Sequence, residues 1–280
     1  MILFLEAGGL GNQLFQYIGL KKKFPNERLI FLGRQKIHKQ FNNIDAKFLN
    51  TEKVYQFFFY SLKNLIIFFI KIRLLGVVYE DTVSKNYKIS IKKGLFWWIL
   101  ICHNIYFQHK DIIEKIENAP NLKDKIKQKG LDWLEEKKIN IKDNKIIFIH
   151  IRRGDYLYWP SKEFPGALDI NWYKKSINLM EKKFSNLIFI LMGDDQHYLY
   201  DCFEESDSFF ISKNSAEIDL SIMSFCCGGI LSASSFAWWG AFYAKSNNNG
   251  HFIAPNYWLG HRKKQWFPEN FNTSWISYIE

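Results

Sequence analysis

The sequence predicts an α/β chain built on parallel sheet, and three observations carry that expectation. Between Lys145 and the C-terminus, continuously apolar runs (KIIFIHI, NLIFILMG, CCGGIL, HFIAP) alternate with segments of helical periodicity, the pattern of a doubly wound parallel sheet. At the other end, residues 2–5 run apolar straight into GGLGNQLFQY, which reads as a buried strand, a glycine-rich turn and a helix. Third, 280 residues that are 48% hydrophobic and 18% aromatic, with six prolines and sixteen glycines, bury a large core and lie between one large domain and two ordinary ones. Two lobes are expected, 1–143 and 144–280.

The elements follow in order. The first helix begins near Asn12, with Leu14, Tyr17 and Ile18 at helical spacing. From Val54 to Tyr79 the chain is strongly apolar, but Lys63, Lys71 and Arg73 interrupt it, so the span of about 20 apolar residues that crosses a bilayer is missing. A core helix is the favoured reading over a helix lying on a membrane surface. LFWWILI at 95–101 is a second apolar patch. Residues 111–143 read as charged helices broken at 119–121 and at Gly130. In the second half, Tyr173, Ile177, Met180 and Phe184 share one face of a helix over 171–185, with Asn171 as its cap, and HFIAP is the last strand.

The formal net charge of +10 admits nucleic acid, an anionic membrane or a phosphorylated small molecule as partner. No basic block resembles a nucleic-acid module, and solvated helix faces account for most of the scattered lysines. The four cysteines, Cys102, Cys202, Cys226 and Cys227, lack metal-ligand spacing and read as buried thiols in a reducing compartment. The opening MILFLEAGG has only four apolar residues between Met1 and Glu6 and no basic start, which does not fit an export signal. A cytoplasmic chain is the expectation.

In parallel sheets ligands sit beyond the carboxyl ends of the strands. Three such ends are rich in polar groups: HIRRGDY (150–156), MGDD (192–195) and SASSFAWWG (232–240). Arg152 and Arg153 present permanently charged planar donors suited to phosphate oxygens, although one of them pairing with Asp155 and the other lying in water would explain the charge equally well. Ser234 and Ser235 either cap a helix or help its N-terminus hold a phosphate. The acids of GDD fit a metal-bridged diphosphate, a ribose or base contact, or a plain turn. Gly9 and Gly11 let backbone approach a ligand, but GGLGNQ lacks the full phosphate-loop spacing.

Taken together and in this order, GGLGNQLFQY, HIRRGDY, FILMGDD and DLSIMSFCCGGILSASSFAWWGAFYA followed by FIAPNYW resemble the bacterial α-1,2-fucosyltransferases over nearly the whole chain. The resemblance implies a GT-B-like enzyme with two Rossmann-like lobes and a cleft between them. It would take fucose from GDP-fucose to a galactose-type glycan acceptor with inversion, and without a metal or other cofactor. His150 and Arg152 would meet the β-phosphate, with Arg153 buttressing their loop. Ser234, Ser235 and Phe236 would line the nucleotide pocket, and Asp195 and Asp219 would contact guanine or ribose. Gly9, Gly11, Asn12 and Gln13 would approach the donor from the first lobe, Asn12 and Gln13 facing the fucose or the β-phosphate.

Two departures from the family pattern stand out. CCGG at 226–229 replaces a stretch that often carries a basic residue, and Pro160 occupies the position where some relatives place a catalytic Glu. Asp155 and Glu163 remain as candidates for a general base, and a reaction without a dedicated base is the third option. Basic charge and the apolar 57–79 segment suggest peripheral contact with the inner face of the cytoplasmic membrane, where a lipid-linked acceptor would lie. A glycosyltransferase using another GDP-sugar is one alternative, and a non-catalytic basic protein that binds membrane or nucleic acid is the alternative from another class.

Overall fold

The computed structural model describes all residues except Glu6, 34–35, 51–54, 82–87 and 249, and it describes no side chains at 50, 55–61, 81 and 247–248. It divides into two compact units, Met1–Asn121 and Leu122–Glu280.

In the first unit, β1 (Ile2–Leu5) leads into α1 (Leu10–Lys23), followed by β2 (Leu29–Gly33), α2 (Lys36–Gln40), β3 (Phe41–Asn42), β4 (Lys47–Asn50) and α3 (Tyr55–Lys71). Then come β5 (Leu75–Asp81), β6 (Lys88–Lys92), β7 (Phe96–Cys102) and α4 (Lys110–Ile113), and the short β8 (Asn121–Leu122) straddles the division between the units. Six strands form a sheet in the order β4-β2-β1-β7-β5-β6, parallel throughout except for the antiparallel β5–β6 edge. The apolar run predicted over 54–79 is a helix followed by a strand, and residue 54 with the side chains of 55–61 lies outside what is described. LFWWILI is strand β7, not an isolated patch.

The second unit holds α5 (Asp124–Glu136), β9 (Lys145–Ile151), α6 (Ile170–Lys183), β10 (Leu187–Gly193), α7 (Gln196–Cys202) and β11 (Phe209–Ile211), then α8 (Ala216–Phe225), β12 (Gly228–Leu231), α9 (Ser235–Asn248), β13 (His251–Pro255) and β14 (Ser277–Ile279). Its sheet runs β11-β10-β9-β12-β13-β14, every neighbouring pair parallel. Strand order reverses between β9 and β12, the topological switch point at which doubly wound sheets take their ligands.

Both faces of this sheet are covered, as its continuously apolar strands require. On one side Ile147, Ile149 and Ile151 pack with Tyr173, Ile177 and Met180 of α6. Elsewhere the core is aromatic: Trp238 and Trp239 are fully buried, and Trp238 meets Phe242, Phe271 and Trp275. The WWG half of the motif is therefore core, and Gly240 lets α9 lie against Met223 of α8 where a Cβ would collide. Gly229 is needed for the same reason, since a Cβ there would strike the Phe148 ring. That contact accounts for a small residue at this point of CCGG.

Four expectations need correcting. The units part at 121/122 and not at 143/144, because α5 packs on α8, with Ser221 donating to the Lys127 carbonyl at 3.3 Å. Gly130 does not break α5; it is buried where a Cβ would strike Ser221. The cap of α6 is Asp169, whose carboxylate accepts the Asn171 N–H at 2.8 Å, so Asn171 lies inside the first turn. HFIAP is followed by a further strand, β14, at the sheet edge. Among the described residues, no helix is long and apolar enough to cross a membrane.

Candidate functional site

Register brings the three polar strand ends together. Met192 pairs with His150 and Gly193 with Ile151, while Leu231 pairs with His150 from the other side. The next residues of the three strands, Arg152, Asp194 and Ser232, consequently leave the sheet side by side.

Arg152 is held by two carboxylates. Its Nη2 donates to Asp155 Oδ1 at 2.6 Å and its Nη1 lies 2.9 Å from Asp194 Oδ2. Asp194 also accepts the Arg153 backbone N–H at 2.8 Å, so one side chain fixes both the loop and the guanidinium. Gly154 is required here because a Cβ would collide with the same Asp194 carboxylate. Arg153 turns the other way. Its Nε meets Asp195 Oδ2 at 3.3 Å and its guanidinium lies 3.6 Å from the Tyr198 ring centroid, a cation–π contact that braces the loop.

His150 is buried, with Nδ1 2.7 Å from Ser232 Oγ and its ring 5.5 Å from that of Phe236. Burial, reinforced by the Arg152 charge, pushes its pKa down to about 3, because a charged imidazole loses its hydration there. The ring is therefore neutral at physiological pH and keeps one N–H to donate. Tyr156 ties the arginine loop to the serine turn: its hydroxyl donates to the Ala233 carbonyl at 3.0 Å, and the Arg152 guanidinium lies 5.5 Å from its ring.

At the start of α9 the Ser234 carbonyl accepts the Trp238 N–H at 3.0 Å and its hydroxyl accepts the Phe236 N–H at 3.3 Å. Ser234 is thus the cap, as the plainer reading of that serine held. Ser235 and Phe236, both half-buried, form the first turn, which contains no acidic residue, so the positive end of the helix dipole is left for an anion.

Two expected contacts already have partners within the fold. Asp195 caps α7 by accepting the Tyr198 N–H at 3.1 Å besides meeting Arg153. Asp219 is buried in the first turn of α8 and accepts the Ser212 hydroxyl at 2.5 Å. Burial raises its pKa to about 7 against the opposing pull of that hydrogen bond. Asp155 is exposed beside Arg152, whereas Glu163 stands exposed on the following loop, apart from the carboxylates that hold Arg152.

In the first unit, Gly9 is the exposed N-cap residue of α1, and Gly8 before it takes a positive φ of 79°. Gly11 is buried, and half-buried Asn12 accepts from Gln108 Nε2 at 2.9 Å. Gln13, expected to face the sugar, is instead only 2% exposed. Its Nε2 reaches toward the Gly8 carbonyl at 3.4 Å.

Sequence reasoning weighed Asp194 only as one of the GDD acids, never as a partner of Arg152, and passed over Tyr156 and Ser232 as working residues. The signal for Asp194 was available: it is the first residue beyond β10, and parallel pairing with β9 sets it opposite Arg152. Tyr156 and Ser232 act through bonds between loops, which no periodicity reveals. Among the described residues, no group of three or more His, Cys, Asp or Glu is placed to hold a metal ion.

A doubly wound unit with paired arginines and an uncompensated helix N-terminus at its switch point, joined in one chain to a second sheet unit, defines a GT-B-like glycosyltransferase. Residues 10–280 match Glycosyl transferase family 11, and the chain belongs to that family. An alpha-1,2-colitosyltransferase of Escherichia coli is 30% identical over 274 residues, spanning 90% of each chain. The O-antigen biosynthesis glycosyltransferase WbnK of the same species is 24% identical over 294 residues, spanning 92% of this chain and 95% of its own. Among solved structures, the NodZ alpha-1,6-fucosyltransferase soaked with GDP-fucose superposes with a TM-score of 0.51 at 12% identity, over 85% of this chain and 91% of its own.

Proposed function

We propose that this family 11 enzyme transfers L-fucose from GDP-fucose to the 2-hydroxyl of a galactose-type acceptor on a bacterial surface glycan, with inversion and without a metal. The observation that carries the reading is the position of Arg152 and the α9 N-terminus on either side of the β9/β12 switch point. Departure of GDP concentrates negative charge on its β-phosphate, and fixed donors aimed there stabilise the transition state more than the ground state. Arg152 supplies the guanidinium, neutral His150 a ring N–H, and the first turn of α9 its backbone N–H groups. Arg153 positions the loop. Asp219, once ionised, is the acceptor for the N–H edge of guanine, and Asp195 contributes from the cap of α7. Gly9, Gly11 and Asn12 at the start of α1 serve the donor sugar. Asp155, whose Oδ1 lies 2.6 Å from Arg152 Nη2, is the candidate base for the acceptor hydroxyl.

The colitosyltransferase relative favours a second donor reading, GDP-colitose, whose sugar lacks only the 3-hydroxyl of fucose. The O-antigen relative supports a surface polysaccharide as acceptor; in the proposal that acceptor is lipid-linked and reached from the inner face of the cytoplasmic membrane. Thermal melting with GDP, GMP and UDP tests the nucleotide: stabilisation by GDP alone is expected, and no response to any of the three would end the proposal. Turnover of GDP-fucose against GDP-colitose on a galactoside then decides the sugar.

A further inference from the structure

The first unit exposes an unusual amount of apolar side chain in one place. Leu95 is 68% exposed, Trp97 63% and Trp98 50%, and Phe68 and Ile72 of the α3 end are 52% and 49% exposed. These residues are contiguous: the Leu95 N–H donates to the Arg73 carbonyl at 2.8 Å and the Phe96 N–H to that of Leu74 at 2.9 Å. Rings of Phe96 and Trp98 lie 5.4 Å apart, those of Trp97 and Trp98 6.0 Å. The tryptophans are extruded by the backbone itself. Leu75 pairs with Phe96 but Gly76 pairs with Leu100, so Trp97, Trp98 and Ile99 bulge out of the β5–β7 ladder.

Among the described residues, the unpaired charge around this bulge is positive. Lys71 ends α3 and Arg73 follows it, Lys92 ends β6 and Lys93 follows it; all four are exposed. The acids of the hairpin, Glu80 and Asp81, lie at the opposite end of β5, where Asp81 pairs with Lys88. Glu27, which approaches through Met1, is neutralised by the amino terminus. The bulge also sits at the amino ends of β5 and β7, the pole of the sheet opposite to the carboxyl ends that take ligands.

We propose that the β7 bulge, with Leu95, Trp97, Trp98, Phe68 and Ile72 at its centre and Lys71, Arg73, Lys92 and Lys93 on its rim, docks this enzyme on an anionic lipid bilayer. Tryptophan favours the headgroup boundary, where its ring is buried and its N–H stays wet. Basic residues beside an apolar face add attraction to anionic lipid. A protein partner would also cover apolar area, but a rim of four cations with no unpaired acid among the described residues matches a uniformly anionic surface better than a mixed one. The inference gives a specific surface to the membrane contact suggested above and rests on that reading only for its purpose, since docking needs neither donor nor acceptor.

Co-sedimentation with vesicles of phosphatidylcholine alone, or mixed with phosphatidylglycerol, tests it on the whole chain. Wild type is expected to pellet with the mixed vesicles and to be released as salt rises. Trp97→Ser with Trp98→Ser should lower the bound fraction at least about tenfold, and Lys92→Glu with Lys93→Glu should do the same without touching the core. The GDP response of the melting temperature, measured on the same samples, reports the nucleotide site separately. Failure of wild type to bind anionic vesicles, or binding as tight as wild type by either double variant, overturns the proposal. So does a dimer, seen by sedimentation equilibrium, that the tryptophan variant dissolves while vesicle binding is unchanged, because a second copy would then be the occupant.

Discussion

Asp194 Oδ2 lies 2.9 Å from Arg152 Nη1 while its other oxygen accepts the Arg153 N–H at 2.8 Å, so a single carboxylate sets both the position of the guanidinium and the path of its loop. Replacing it by Asn keeps the shape and one acceptor but removes the charge that orients Arg152. Asp194→Asn is expected to lower kcat/KM by on the order of 2 kcal/mol of barrier. Stability should move by less than about 1 kcal/mol, because the ion pair is partly solvated. Steady-state kinetics beside a denaturant melt separate the two.

Gly154→Ala probes the same contact from the other side. The added methyl would meet the Asp194 carboxylate, which can yield only by releasing Arg152 or Arg153. Activity should fall by about tenfold or more with little change in fold. Wild-type turnover in this variant would show that the Arg152–Asp194 pair is not needed for transfer.

Arg152→Ala is expected to raise the barrier by on the order of 3 kcal/mol, since it removes a charge aimed at the developing phosphate anion. Arg152→Lys should recover only part of that loss. A lysine cannot serve two carboxylates and a phosphate with the planar fork that Arg152 uses. Near-normal turnover in the alanine variant would remove Arg152 from the mechanism.

His150 and Asp219 impose opposite pH slopes on stability. Below about pH 6.5 an unfolded histidine takes up a proton, whereas burial and Arg152 hold folded His150 unprotonated down to about 3. Its contribution is complete above about 6.5 and is lost as pH falls toward 3, at up to about 1.4 kcal/mol per unit. Burial keeps Asp219 protonated in the fold up to about 7, although the unfolded chain releases that proton near 3.9. The stability Asp219 contributes is therefore present below about 3.9 and lost as pH rises through 7. Asp219→Asn should raise stability near pH 8 and steepen the loss between about 6 and 4.5, where the histidine slope is no longer opposed. Denaturant melts across that range read both effects.

The four central strands of the second unit, β10, β9, β12 and β13, are legible in the sequence as largely apolar runs, whereas the three-residue edge strands β11 and β14 are too short to read. The order of strands is not local information, yet three polar strand ends were enough to mark the crevice. Harder to read were the places where one residue serves another. The local Arg152–Asp155 pair was readable, but Asp194 as the second partner of Arg152, Tyr156 bonding Ala233, and Gly154 clearing space for Asp194 arise only when strands come into register. The first unit was read less well. Its apolar 54–79 segment mixes helix and strand without a turn signal between them, and the bulge of Trp97 and Trp98 interrupts a run whose sequence alone fits an ordinary strand. Asp169 took the cap from Asn171 because both are good cap residues and only backbone geometry chooses between neighbours.

The GDD turn supplies a test of metal dependence. A manganese ion bridging a diphosphate would need carboxylate oxygens, and the turn offers those of Asp194 and Asp195. Both are engaged: Asp194 with Arg152 and the Arg153 N–H, Asp195 with Arg153 and the cap of α7. Recruiting either to a metal would release an arginine that the proposed mechanism aims at, or braces behind, the same phosphate. Two guanidinium groups and the α9 N-terminus already provide positive charge at the switch point, so turnover measured with EDTA should equal that measured with added manganese. Activity that disappears on chelation and returns with manganese would reassign Asp194 and Asp195 as ligands and leave the arginines a supporting part.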